Sequence, residues 1–115
     1  MNMENKNILI KANALVIAGD NEGFLDFCTD DTVWDFVGDR VLNGKEAVRN
    51  YMAEAYVEPP VFDTESLIAD GDFVVAAGNI SLKNSDGNLI KYRYCDIWKF
   101  RDGKMAEVRA YVLPV

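Results

Sequence analysis

The chain has 115 residues, half of them apolar, with 12 basic and 19 acidic side chains and a net charge of −7. That is the size of one domain around one core, and the acidic balance argues against binding a phosphate backbone, which requires a basic face. Histidine is absent, which removes the commonest neutral-pH base, the commonest transition-metal ligand and every Ser-His or Cys-His nucleophile pair.

Acid–base chemistry therefore falls to carboxylates, Tyr, Lys or Cys. Cys28 and Cys95 make neither a disulfide framework nor a metal pattern, and each follows an aromatic residue, as a small buried hydrophobe does. There is no Gly-rich phosphate loop, so no metal or organic cofactor is implied. The N-terminus, MNMENKN, is polar and lacks the layout of a secretion signal. No apolar run approaches the roughly 20 residues of a membrane span. The expectation is a cytoplasmic protein with a single domain over residues 1–115.

In chain order, Ile8, Ala12, Leu15 and Val16 share one face of a helix over Glu4 to Ala18. Gly19 suits its C-cap. Asp20 and Asn21 can cap a second, short helix carrying Phe24, Leu25, Phe27 and Cys28. Thr32 to Val37 is β-branched and aromatic, a short strand. Asn43-Gly44 turns into a third helix, Lys45 to Tyr56, which Pro59-Pro60 follows. From Val61 the period becomes two. Strands are expected at Val61 to Ala69, Asp72 to Lys83, Asn88 to Phe100 and Lys104 to Val112, separated by Asp70-Gly71, Asp86-Gly87 and Asp102-Gly103. Asp-Gly between alternating runs is a strong hairpin signal. Helices segregated to one face of an antiparallel sheet make an α+β domain, and a sheet that curls around them encloses a pocket.

Alternation sorts the faces. Tyr92, Tyr94, Asp96, Trp98 and Phe100 share one side of their strand and Arg93, Cys95, Ile97 and Lys99 the other, so the aromatic side, with Asp96 at its middle, is the inner one. On the strand before it, Val74, Ala76, Gly78, Ile80 and Leu82 face inward, and the small Ala76 and Gly78 leave room. In VWDFVG, residues 33–38, either Val33, Asp35 and Val37 point inward or Trp34 and Phe36 do. Pattern alone favours Trp34 and Phe36, because a charged side chain is seldom buried without a partner.

The stretch AGDNEGFLDFCTDDTVWDFVGDRVLNGKEAVRNYM, residues 18–52, resembles the corresponding part of bacterial ketosteroid isomerases, and CDIWKFRDGKMAEVRAYV resembles their last two strands. The wider group of nuclear-transport-factor-2-like and SnoaL-like proteins, which includes isomerases, polyketide cyclases, epoxide hydrolases and non-enzymes, is resembled equally. The resemblance implies a cone-shaped α+β fold, a strongly curved antiparallel sheet wrapped around three N-terminal helices (a cystatin-like roll), and a homodimer. It also implies an inward Asp35 acting as general base and a protonated Asp96 donating to the substrate oxygen. With Asp35 inward, Trp34 and Phe36 would lie on the outer face and suit the dimer interface.

Two departures stand out. The stretch from Asp31 to Asp35 is one residue shorter than in the isomerases, and Ala12 stands where they carry a tyrosine that shares the oxyanion site. Tyr51, Tyr56 or Tyr94 could take its place. Arg93 and Arg109 fall on the outer face, whereas an epoxide-hydrolase-like Asp-Arg-Asp set would need one inside.

The expected function is a pocket for an apolar, carbonyl-bearing small molecule, steroid- or polyketide-like, with isomerase- or cyclase-type proton transfer by Asp35 and Asp96. Tyr51, Met52, Val74, Ala76, Gly78, Tyr94, Trp98 and Val108 are the expected ligand contacts. The alternative is a ligand-binding or protein-interaction module of the same fold without chemistry.

Overall fold

The computed structural model describes residues 2–115; Met1 of the polar N-terminal segment lies outside them. Helix α1 (Asn2–Ile17), helix α2 (Asn21–Leu25), strand β1 (Cys28–Phe36), strand β2 (Arg40–Asn43) and helix α3 (Lys45–Ala55) come first. Four long strands follow: β3 (Val61–Asp70), β4 (Phe73–Lys83), β5 (Leu89–Arg101) and β6 (Lys104–Pro114). They form one curved, unclosed sheet in the order β2-β1-β6-β5-β4-β3. Neighbours are antiparallel except β1 and β6, which run parallel and are joined through β2, α3 and the three strands β3 to β5.

Local chemistry accounts for the joints. Gly19 adopts φ +84° after α1, and the Asp20 carboxylate accepts the Gly23 N–H at 2.8 Å to cap α2. Arg101 pairs with Lys104, leaving Asp102-Gly103 as a two-residue turn with both residues at positive φ, 53° and 76°. This is the geometry that Asp-Gly favours. The other two Asp-Gly pairs behave differently. Asp70 pairs with Phe73, so the turn there is Gly71-Asp72. Asp86-Gly87 sits in a wider loop, where Asn84 Oδ1 accepts the N–H groups of Asp86 and Asn88.

Two elements differ from expectation. Strand β1 begins at Cys28, which pattern had assigned to the second helix; Cys28 is buried, and burial pushes its thiol up to about 12, so it is inert at neutral pH. Strand β2 is an edge strand of four residues, RVLN, too short to display a period.

The helices lie on the concave sheet face. Leu9, Ala12 and Val16 of α1 and Val48 and Met52 of α3 are buried there against Trp34, Trp98, Met105 and Val108 of the sheet. The Thr32 hydroxyl donates to the Met105 carbonyl at 3.1 Å, and the Met105 N–H donates to the Phe27 carbonyl at 2.8 Å, locking β1 onto β6. Arg49 of α3 reaches Glu22 of α2 at 2.7 Å, an exposed pair of small energetic weight. Among the described residues, no helix is long and apolar enough to cross a membrane.

Candidate functional site

Between helices and sheet lies a cavity of about 270 Å³. Its walls are largely aromatic. Phe24, Trp34 and Trp98 form its inner end, with ring centroids 5.8 to 6.3 Å apart and edge-to-face. Phe36, Tyr51 and Tyr56 continue the chain of rings along the helix side, with centroids 5.0 and 6.0 Å apart. Tyr92 and Tyr94 of β5 and Phe62 of β3 complete the sheet side.

Asp96 lies within this wall. Its backbone partners on either side are Ala76 and Ala110, whose methyl groups leave the carboxyl uncovered toward the cavity. Oδ1 is buried with no hydrogen-bond partner, so Oδ2 is the oxygen able to meet a ligand. Burial, with no neighbouring cation to offset it, raises the carboxyl from 3.8 to about 7. At and below neutral pH, Asp96 is therefore substantially a neutral acid and can donate a hydrogen bond.

Around it stand further polar groups. The Tyr94 hydroxyl is 2.7 Å from Thr64 Oγ1. Tyr56 is held well above the usual phenol range, first by burial and then by Tyr51 and Asp96 nearby. It therefore stays a neutral phenol, with an O–H to donate, on the same cavity wall as Asp96. From α1, Asn13 and Val16 reach the cavity, while Ala12 is fully buried in the core. At the mouth, Asp39 lines the wall and pairs with Arg40 at 3.4 Å, and the Arg40 guanidinium lies 5.9 Å from the Tyr51 ring centroid.

Asp35 is a correction. It is absent from the cavity wall, whereas Trp34, only 5% exposed, and Phe36 line it. Asp35 projects from the opposite sheet face, where it pairs with Val41 and Arg109 across the strands. The physical cause is register. A strand has a side-chain period of two, so with Trp34 and Phe36 turned to the cavity, Asp35 between them faces the other way. The β1–β6 pairing is irregular between Cys28 and Val33, just before this stretch. Trp34 and Phe36 are consequently not available to a dimer interface.

Of the other expected contacts, Tyr51, Ala76, Tyr94, Trp98 and Val108 line the cavity. Met52 and Val74 do not; both are fully buried in the packing around it. Gly78 does not line it either. A Cβ there would come within 2.1 Å of the Asp63 carbonyl oxygen, where β3 is bulged between Thr64 and Ser66. Gly78 is small because a neighbouring strand crosses it, not because a ligand needs space. Wall residues that alternation did not single out include Asn13, Phe24, Asp39, Tyr56 and Phe62. Phe24 and Tyr56 carried a signal as aromatics at the ends of amphipathic helices; Asp39, in a turn, carried none. Arg93 pairs with Glu65 at 3.0 Å and Arg109 is exposed; neither reaches the cavity. No cluster of His, Cys, Asp or Glu able to hold a metal ion occurs among the described residues.

The family model of the SnoaL-like domain matches residues 11–108. The chain belongs to the SnoaL-like domain family. Similar solved structures include the epoxide hydrolase/cyclase-like enzyme SalBIII of pyran ring formation in polyether salinomycin (21% identity, 96% of this chain and 91% of that one, TM-score 0.88). A candidate SnoaL-like polyketide cyclase from Jannaschia sp. CCS1 is also similar (14%, 97% and 87%, 0.82). So is an NTF2-like protein of unknown function from Cytophaga hutchinsonii ATCC 33406 (19%, 94% and 98%, 0.76). At these identities the likeness concerns the fold. No curated protein matches the sequence.

Proposed function

We propose that the protein binds an apolar, carbonyl-bearing small molecule, polyketide- or steroid-like, in the aromatic cavity. Asp96 then exchanges a proton with the ligand oxygen, chemistry of the isomerase or cyclase type. One observation carries this reading: Asp96 is the buried carboxyl in the wall of an aromatic cavity, with Oδ1 enclosed and unpaired and Oδ2 left for a ligand. A buried polar atom without a partner costs about 1–3 kcal/mol, and a carboxyl held at that cost in a cavity wall is a candidate functional group. Family membership and the cyclase-like neighbours support the same class of chemistry. Tyr56 supplies a second donor, in place of the helix-1 tyrosine of the isomerases. An epoxide-opening mechanism through a cavity arginine is not supported, because Arg93 and Arg109 lie outside. Any dimer would use the outer sheet face, where Ile68 and Leu113 are 61% and 67% exposed.

The test uses 2-tetralone, a neutral bicyclic ketone, with Kd measured by quenching of Trp34 and Trp98 fluorescence. Binding is expected to be tightest below pH 6 and to weaken about tenfold or more by pH 8.5, as the acid that donates to the carbonyl ionises. Asp96→Asn keeps an amide donor and should bind with no step near pH 7. Equal wild-type affinity at both pH values would contradict the assignment.

A further inference from the structure

We infer that the cavity recognises a ketone of two fused rings, held with its carbonyl at the inner end, and that any further rings of a ligand stay outside. The inference rests on the function proposed above and narrows its ligand class from the whole polyketide- or steroid-like range to the bicyclic end of it.

The size follows from the volume. An apolar protein cavity of about 150 Å³ binds benzene. On that scale a cavity of about 270 Å³ takes roughly 11 non-hydrogen atoms, which is two fused rings and a carbonyl oxygen. A tetracyclic ketone, with about 20 such atoms, would need nearly twice the space.

The direction follows from the register. The inner side chains of the sheet stand in rows that cross it. Trp34, Val108, Trp98 and Val74 make one row, and Phe36, Ala110, Asp96 and Ala76 the next. Val112 and Tyr94 belong to a third row, and Tyr92, Ile80 and Phe62 to a fourth. Successive rows lie two residues, about 7 Å, apart along a strand. The first row is closed. Trp34, Val108, Trp98 and Val74 are all buried, and Phe24 stands edge-on against both indoles. The other direction leads out: Val112, Tyr92 and Leu82 are half-buried, and Val37 and Asp39, in the turn after β1, are exposed. Asp96 therefore stands one row from the closed end. A carbonyl that reaches it is the leading group of its ligand, and the rings trail toward the mouth past Tyr94, Ile80 and Tyr92.

The walls along this path are braced. The Tyr94 hydroxyl is tied to Thr64 Oγ1 at 2.7 Å, and its ring stands edge-on to Phe62 with centroids 6.0 Å apart. On the helix side, Tyr51 packs against both Phe36 and Tyr56. Widening the cavity to admit more rings would break these contacts. A third ring then lies past the mouth in contact with water and adds little. Were it fully buried, its four additional carbons would tighten binding on the order of a hundredfold.

The test measures Kd on the wild-type protein at pH 6, by the same fluorescence quenching, for four ketones. They are 2-tetralone, 1-tetralone, the linear tricyclic 3,4-dihydroanthracen-2(1H)-one and the tetracyclic androst-4-en-3-one. The last two are expected to bind no more than about fivefold tighter than 2-tetralone, because their extra rings remain in water. 1-Tetralone, whose oxygen sits at the side of its long axis, should bind about tenfold or more weakly than 2-tetralone, because its oxygen misses Asp96 when its rings follow the walls. A gain of about tenfold or more with each added ring would overturn the size limit. If the pH step of 2-tetralone persisted, Asp96 would still stand as the donor to the carbonyl. Equal affinity for the two tetralones would overturn the inner placement of the carbonyl. No binding by any of the four would remove the proposed function, and this inference with it.

Discussion

Asp96→Asn is expected to stabilise the protein at pH 8 and to leave its stability nearly unchanged at pH 4. In the folded protein burial raises the carboxyl to about 7, against 3.8 for an ordinary solvated aspartate. Between those values the native state holds a proton that the unfolded chain has released, so stability falls as pH rises through the window. Below 3.8 both states are protonated and nothing is lost; above about 7 both are ionised and the loss is complete. Roughly three pH units at 1.36 kcal/mol each give a total of about 4 kcal/mol. Asparagine does not ionise, so the variant has no such slope, and it leaves the same buried acceptor unpaired as Asp96 does. Asp31 and Glu22 are held below the usual carboxylate range by Arg101 and Arg49. They weaken the fold toward acid, but equally in both proteins, and cancel in the difference. Thermal melts of the two forms at pH 4 and pH 8 check this. A stabilising substitution at the site of chemistry is what a functional, unpaired acid predicts.

Phe24→Ala is expected to cost about 3–5 kcal/mol, the range for deleting a buried aromatic ring. Phe24 is 2% exposed and touches Trp34 and Trp98 edge-on, at 5.8 and 6.3 Å between centroids. Its loss joins new space to the existing cavity and leaves Leu25 as the one buried residue of helix α2, which is five residues long. For a domain of this size such a loss is a large share of the whole stability. Phe73→Ala is the control: Phe73 is 44% exposed on the outer face, and its truncation should cost much less. Urea unfolding of both variants measures the difference. A Phe24→Ala variant as stable as wild type would mean that the rings around the cavity do not share one packed core.

What the chain makes legible follows from its periods. The inner faces of β4 and β5 were readable because alternation over eleven and thirteen residues leaves no second choice, and that placed Asp96 among aromatics. In VWDFVG the same alternation put Trp34 and Phe36 inside, as the structure does; the likeness to the isomerases argued for Asp35. That likeness rested on motif letters, whereas in a strand the alternation decides the face. Gly78 misled for a different reason. Its size was legible, but the strand that crosses it arrives from Thr64 and Ser66, and only long-range pairing reveals such a contact. Asp39 was out of reach because a turn has no period to say where its side chain points. Asn13 and Tyr56 approach the cavity from helices whose angle to the sheet depends on packing.

The most direct test of the account is a carboxyl-carbon NMR titration of Asp96 in the free protein, which requires no substrate. A midpoint near 7 is expected, from burial in the aromatic cavity without a cation. A midpoint near the ordinary aspartate value of 3.8 would mean an ionised, solvated Asp96 at neutral pH, and the proposed proton donor would be lost.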